Sequence, residues 1–342
     1  MNILFIFIIL VVILILILNI KNKNVDNYNY KNNYKYNNNY KYYSLSSINY
    51  ECNNIINDLN FLNEISNVDY NKVPKIIWTF WHDEDKIPSL IKYCIQTWIK
   101  SNPDYKIYFL TRQNYRNFID IPSYITEHSN INDYEARFSD MIRIHLLYEY
   151  GGVWMDASII CKESLNDWLY WDIQSFGKNF FGYYIQQNIT DDRYPVIENW
   201  FMATTPKNNF ILLWKNEFME VINFSSVNEY LQHRKSLGVN FQKIVSPNYM
   251  AMYVAVQKIL QIDNYPTKKM YLKKAEEGPY KYISINNWKS EKSLKMACNN
   301  KMFTKFMKLT NRERKFLQPY IDDYDSELSR YKCNWFENFT IL

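Results

Sequence analysis

Between residues 73 and 158, apolar runs of strand length alternate with amphipathic runs of helix length, an order that few folds accept. Residues 75–81 (KIIWTFW) form a compact apolar run the length of a strand. From Pro88 to Lys100, Leu90, Ile91, Cys94, Ile95, Trp98 and Ile99 recur at the three- and four-residue spacing of one helix face, with Pro88 in the first turn. Residues 105–111 alternate as a strand, 112–119 predict a helix, and 134–150 predict a long helix closed by Gly151. Gly152 then opens the strand Val153-Trp154-Met155. Strands separated by helices need crossover connections, so the pattern predicts an α/β layer fold with a mostly parallel sheet. Further on, strands are predicted at 180–185 and 199–204 and helices near 55–65 and at 207–221, 226–236 and 248–261. No linker divides residues 70–342, which predicts one domain over 51–342.

The chain begins differently. Residues 3–18 are sixteen consecutive apolar positions, and Ile20 extends the run past Asn19. About twenty helical residues span a hydrocarbon core of roughly 30 Å, so a run of sixteen is marginal for a membrane helix. A signal-peptide core is the competing reading, but cleavage needs small residues, and residues 19–43 contain no Ala, Gly or Ser. An uncleaved, single-pass signal anchor over 1–20 is therefore expected. The side of the membrane on which the body lies is left open. Residues 21–50 are a low-complexity Asn/Lys/Tyr tract without Gly or Pro, expected to be a stalk. The formal charge of +5 invites a nucleic-acid partner, but residues 1–43 hold five Lys and one Asp. The remaining residues hold 35 basic and 34 acidic side chains, so the basicity belongs beside the membrane and no nucleic-acid partner is expected.

Asp156 stands where the strand 152–155 ends, and in open α/β sheets ligands bind outside the carboxyl ends of strands. On the preceding helix Arg137, Asp140 and Arg143 share one side. Two cations and two acids beside a glycine turn suit an anionic ligand bridged by a divalent metal. The same spacings also fit solvated ion pairs and a glycine C-cap, and both readings stand on spacing alone. The four His fall at no metal-ligand spacing, no CxxC, P-loop or GxSxG is present, and Cys94 lies on an apolar helix face.

The run Ala136-Arg137-Phe138-Ser139-Asp140-Met141-Ile142-Arg143, continuing through Leu146-Leu147-Tyr148-Glu149-Tyr150-Gly151-Gly152-Val153-Trp154-Met155-Asp156-Ala157-Ser158, resembles the signature of capsular polysaccharide synthesis proteins. These are grouped with glycosyltransferase family 32-like enzymes that carry a DxD sugar-binding region. Residues 73–81 are similar to that family's first strand, and Glu198-Asn199-Trp200-Phe201 resembles a third shared segment. The resemblance implies a GT-A type fold. It also implies transfer of a sugar from a UDP- or GDP-linked donor to a glycan or glycolipid acceptor, assisted by Mn²⁺ or Mg²⁺ and with retention of anomeric configuration. By position Trp81 matches the aromatic stacked on the base, and Asp140 and Arg143 the pair that holds ribose or sugar and phosphates. Arg137, Gly151 and Gly152 are expected around the same donor. Asp156 matches the first Asp of the DxD, catalytic and metal-ligating, and Ser158 stands where the second Asp, a metal ligand, is expected. Met307-Lys308-Leu309-Thr310 resembles a late segment in which the family carries His before Lys-Leu-Thr. Glu198 is the candidate for contacting the acceptor hydroxyl. The Ser at position 158 also motivates an alternative, a non-catalytic carbohydrate or nucleotide-sugar binder with a degenerate metal site.

Overall fold

The computed structural model describes residues 69–169, 173, 176–298 and 304–322. The expected anchor at 1–20, the stalk at 21–50 and the helix near 55–65 lie outside the described residues. Among the described residues no helix is long and apolar enough to cross a membrane.

Six strands form the main sheet: β1 (Ile76–Phe80), β2 (Lys106–Leu110), β3 (Gly152–Met155), β5 (Phe180–Tyr184), β6 (Ile197–Thr204) and β7 (Tyr271–Lys274), in the order β2-β1-β3-β6-β5-β7. The β1–β2, β1–β3 and β5–β7 ladders are parallel, and β6 runs antiparallel to both β3 and β5. The sheet is mostly parallel, as expected. A second, two-stranded sheet pairs β4 (Ile159–Cys161) with β8 (Phe306–Lys308) in antiparallel register, Ile159 opposite Lys308.

Strand side chains alternate between two buried faces, which is why β1 reads as an unbroken apolar run. Ile76, Trp78 and Phe80 point into a core with helices α2 (Glu135–Tyr150), α3 (Asn209–Met219) and α5 (Ala251–Gln261). Ile77, Val153 and Phe201 point into a second core with α1 (Ser89–Ser101), β4 and β8. Helices α4 (Val227–Ser236), α6 (Ser290–Cys298) and α7 (Asn311–Asp322) complete the longer helices. Cys94 is fully buried on the inward face of α1.

The helix expected at 112–119 is reduced to one 3₁₀ turn, Tyr115–Asn117. The Asn114 side chain accepts from the Thr111 N–H at 2.7 Å and donates to the Phe109 carbonyl at 3.1 Å. A side chain that bonds its own backbone competes with helix formation in this way.

The turn between α2 and β3 needs glycine at both positions. Gly151 (φ 64°) donates its N–H to Leu147 at 3.0 Å, and a Cβ there would lie 2.6 Å from Pro206 N. At Gly152 (φ 88°) a Cβ would lie 2.8 Å from the Ile76 carbonyl oxygen. Left-handed backbone and backbone-to-backbone approach both exclude a side chain.

Candidate active site

β1 and β3 are parallel, so Trp81 and Asp156, each one residue past its strand, emerge at the same edge of the sheet. Because β6 is antiparallel, with Phe201 opposite Met155, its opening residues Glu198, Asn199 and Trp200 arrive at that edge too. Helix α2 supplies Ser139, Asp140 and Arg143 to the same place. A cavity of about 500 Å³ is lined by these groups together with Ser158, Tyr253, Lys308 and Arg314. A larger hollow of about 880 Å³, lined by Tyr70, Lys72, Gly177 and Lys268, holds none of these residues.

Arg143 organises the floor. One guanidinium nitrogen is 3.0 Å from Asp140 Oδ1 and donates to the Asn199 carbonyl at 3.0 Å. The other donates to Asp156 Oδ1 at 3.0 Å. Asn199 donates its amide to Asp140 at 2.9 Å. Burial pushes Asp140 up to about 6, with Arg143 opposing and Asp156 adding to the rise. Burial also acts to raise Asp156, but Lys308 and Arg143 outweigh it and hold the carboxyl below its ordinary value.

Glu198 is 4% exposed. Its Oε2 accepts from Trp200 Nε1 at 2.6 Å, and the Tyr253 hydroxyl lies 3.1 Å away, with Asn199 Oδ1 at 2.9 Å as its other acceptor. Glu198 Oε1 has no hydrogen-bond partner. Burial pushes this carboxyl up to about 7, against the opposing pull of Trp200, Tyr253 and Lys308. The cavity wall thus carries a carboxyl poised near neutrality. Trp81 Nε1, Arg143 Nε and Arg314 Nε are likewise buried without partners. Polar atoms so placed normally find a partner, and a polar ligand in the cavity can provide it.

The residues expected at a metal turn out to be engaged already. Lys308 Nζ donates to Asp156 Oδ2 at 2.7 Å and to Ser158 Oγ at 2.9 Å. Asp156 Oδ1 accepts from Trp154 Nε1 at 3.0 Å as well as from Arg143. Ser158 Oγ donates to the Leu309 carbonyl at 3.0 Å. Asp156 and Ser158 therefore grip an ammonium group, and a divalent ion would have to evict it to bind them. Among the described residues no group of three or more His, Cys, Asp or Glu could hold a metal ion. The residues present do not fit the expected Mn²⁺ or Mg²⁺ site.

Of the residues named from sequence, Trp81, Asp140, Arg143, Asp156, Ser158 and Glu198 line one cavity. Arg137 does not join them: its guanidinium donates to the Asn130 carbonyl at 2.6 Å and lies 3.9 Å from the centre of the Tyr134 ring. Gly151 and Gly152 pack against Pro206, Thr204 and Ile76 and are absent from the lining. Lys308, Arg314 and Tyr253 were not singled out for the site. For Lys308 there was one signal, the late Lys-Leu-Thr segment. Arg314 sits one turn into α7, its guanidinium 5.9 Å from the centre of the Trp81 ring.

Similarity to known proteins bears on the same body. Inositol phosphoceramide mannosyltransferase 3 of Schizosaccharomyces pombe is 29% identical over 126 residues, 36% of this chain and 35% of that protein. O-glycosyltransferase braB of Annulohypoxylon truncatum is 21% identical over 263 residues, 65% of this chain and 62% of that protein. The chain thus spans about a third of the first relative's length and under two thirds of the second's. The solved structure of PaToxG Glycosyltransferase is 18% identical and covers 80% of this chain and 93% of its own, at a TM-score of 0.33. The model of the capsular polysaccharide synthesis protein family matches residues 21–244, well over half of the sequence, and the chain belongs to that family.

Proposed function

We propose that this protein is a hexosyltransferase that moves a sugar from a nucleotide-sugar donor to a glycan or glycolipid acceptor on a GT-A type fold. The observation that carries the reading is the convergence of Trp81, Asp140, Arg143, Asp156 and Glu198 on one cavity at the carboxyl ends of β1 and β3. Trp81 offers a ring on which a nucleobase stacks, and Arg143 and Arg314 offer guanidinium groups to a diphosphate. Asp140 and Asp156 hold Arg143 in place and present acceptors to sugar hydroxyls. Glu198 lines the cavity, its Oε1 buried without a partner, and is the group to contact the acceptor hydroxyl. Preformed dipoles and charges aimed at the leaving diphosphate stabilise the negative charge it develops in the transition state and so accelerate its departure. Retention of configuration is the outcome the family resemblance supports, and mannose heads the donor sugars because of the mannosyltransferase relative. Residues 1–20 are read, on sequence alone, as the membrane anchor of this enzyme and 21–50 as its stalk; carbonate extraction of membranes tests that arrangement.

The test is turnover of a panel of UDP- and GDP-sugars by the full chain and by Asp156→Asn. Release of nucleoside diphosphate by the wild type, lost in the variant, is the expected outcome. Binding of a donor without hydrolysis or transfer, unchanged in Asp156→Asn, would instead favour a non-catalytic binder.

A further inference from the structure

We propose that Lys308 takes the place of a divalent cation in this site: its ammonium, clamped between Asp156 and Ser158, meets the donor's diphosphate, and the reaction needs no metal. The proposal rests on reading the cavity as a nucleotide-sugar site.

The two positions that should chelate a metal instead share one ammonium, at 2.7 Å from Asp156 Oδ2 and 2.9 Å from Ser158 Oγ. Serine at position 158 is the reason the arrangement works. Its hydroxyl accepts from Lys308 while donating to Leu309, whereas a second carboxylate there would leave a surplus negative charge. An ammonium has three N–H donors, and these two contacts leave the third for the cavity that Lys308 lines. The group is held from behind as well. The Lys308 carbonyl accepts from the Tyr282 hydroxyl at 2.8 Å, and the Leu309 N–H donates to the Ser158 carbonyl at 3.0 Å. Lys308 is 7% exposed, so its charge acts in a medium that screens little.

The chemistry needs such a charge at one moment. As the anomeric C–O bond breaks, its electron pair stays on the diphosphate oxygen, which gains one negative charge. The acceptor hydroxyl oxygen forms the new bond to the anomeric carbon, and its proton passes to the departing diphosphate. A metal would meet that charge with two positive units. Here Lys308 and Arg314, with Arg143 one step behind on Asp156, share the same task from three side chains that line one cavity.

Binding of UDP and GDP and turnover of the donor panel by the metal-stripped full chain test the proposal, in excess EDTA and again with added Mn²⁺. Equal affinity and equal turnover in both conditions are expected. Lys308→Met should weaken nucleoside diphosphate binding about tenfold to hundredfold, the value of one charge-assisted hydrogen bond, while Lys308→Arg should recover most of it. Far-UV circular dichroism of both variants separates loss of the cation from loss of the fold. Binding and turnover that vanish in EDTA and return with Mn²⁺ would overturn the role of Lys308 and leave the transferase reading standing. Wild-type chain that binds no nucleoside diphosphate and turns over no donor in either condition would overturn both.

Discussion

Replacing Glu198 by Gln isolates one buried carboxyl and makes its electrostatics measurable. In the folded chain burial raises this group from 4.5 to about 7, because Trp200 and Tyr253 reach only Oε2 and leave Oε1 without a partner. A folded value above the unfolded one means the native state holds its proton to higher pH. The contribution of Glu198 to stability is therefore undiminished below about pH 4.5, falls as pH rises toward 7, and is level above it. At 1.36 kcal/mol per unit the loss is about 3 kcal/mol. Gln keeps the shape, accepts from Trp200 in the same way and never ionises, so its stability lacks that slope. Thermal melts of the full chain and of Glu198→Gln across this pH range give the difference curve, in which the other carboxylates cancel. The variant should gain on the wild type by about 3 kcal/mol between the acid and alkaline ends, roughly 6–12 °C for a body of this size. Difference curves that are flat, or that fall with pH, would refute the assignment of Glu198 as a carboxyl neutral near pH 7.

Two further substitutions probe the scaffold and the donor side. Gly152→Ala forces a side chain into φ 88° and to within 2.8 Å of the Ile76 carbonyl, and should destabilise the fold by at least about 2 kcal/mol in denaturant titration; an unchanged midpoint would contradict the close approach of β3 to β1. Trp81→Ala should raise the dissociation constant of a nucleoside diphosphate about tenfold while Trp81→Phe retains most of the affinity, as expected of a stacking platform; equal losses in both would place the base elsewhere.

Much of the framework was legible because burial on both sheet faces writes strands as apolar runs. Residues 75–81 and 105–111 contain β1 and β2, and the Gly-Gly pair marks the end of α2 and the start of β3. The predicted helices at 207–221, 226–236 and 248–261 enclose α3, α4 and α5. Strand 199–204 begins two residues earlier than expected, at Ile197, which matters because the added residues include Glu198. What escaped were three short strands together with the helices α6 and α7, the latter carrying Arg314. β4 and β8 have three residues each and β7 is the half-buried edge sequence YLKK, too brief for a periodicity to emerge. The helix at 112–119 failed for a local reason, the competing hydrogen bonds of Asn114.

The site divides along the same line. Asp140, Arg143 and Asp156 lie within seventeen residues of one another, so helix spacing and the end of a strand suffice to bring them together. Arg137 fails by the same geometry that recruits Arg143: three residues from Asp140 toward the N-terminus, it reaches back to Asn130 and Tyr134 instead of forward to the sheet edge. Lys308 stands at a separation of 152 residues from Asp156, and only the pairing of β4 with β8 connects them. That pairing sets Lys308 opposite Ile159 and therefore beside Ser158. Because strand side chains alternate, a one-residue slip of β8 would present Met307 or Leu309 there and leave Asp156 without its ammonium. The cation identity of the site is thus decided by the register of a three-residue strand, which is why Asp156 and Ser158 read together as a weakened metal site in the sequence and as a lysine clamp in the fold.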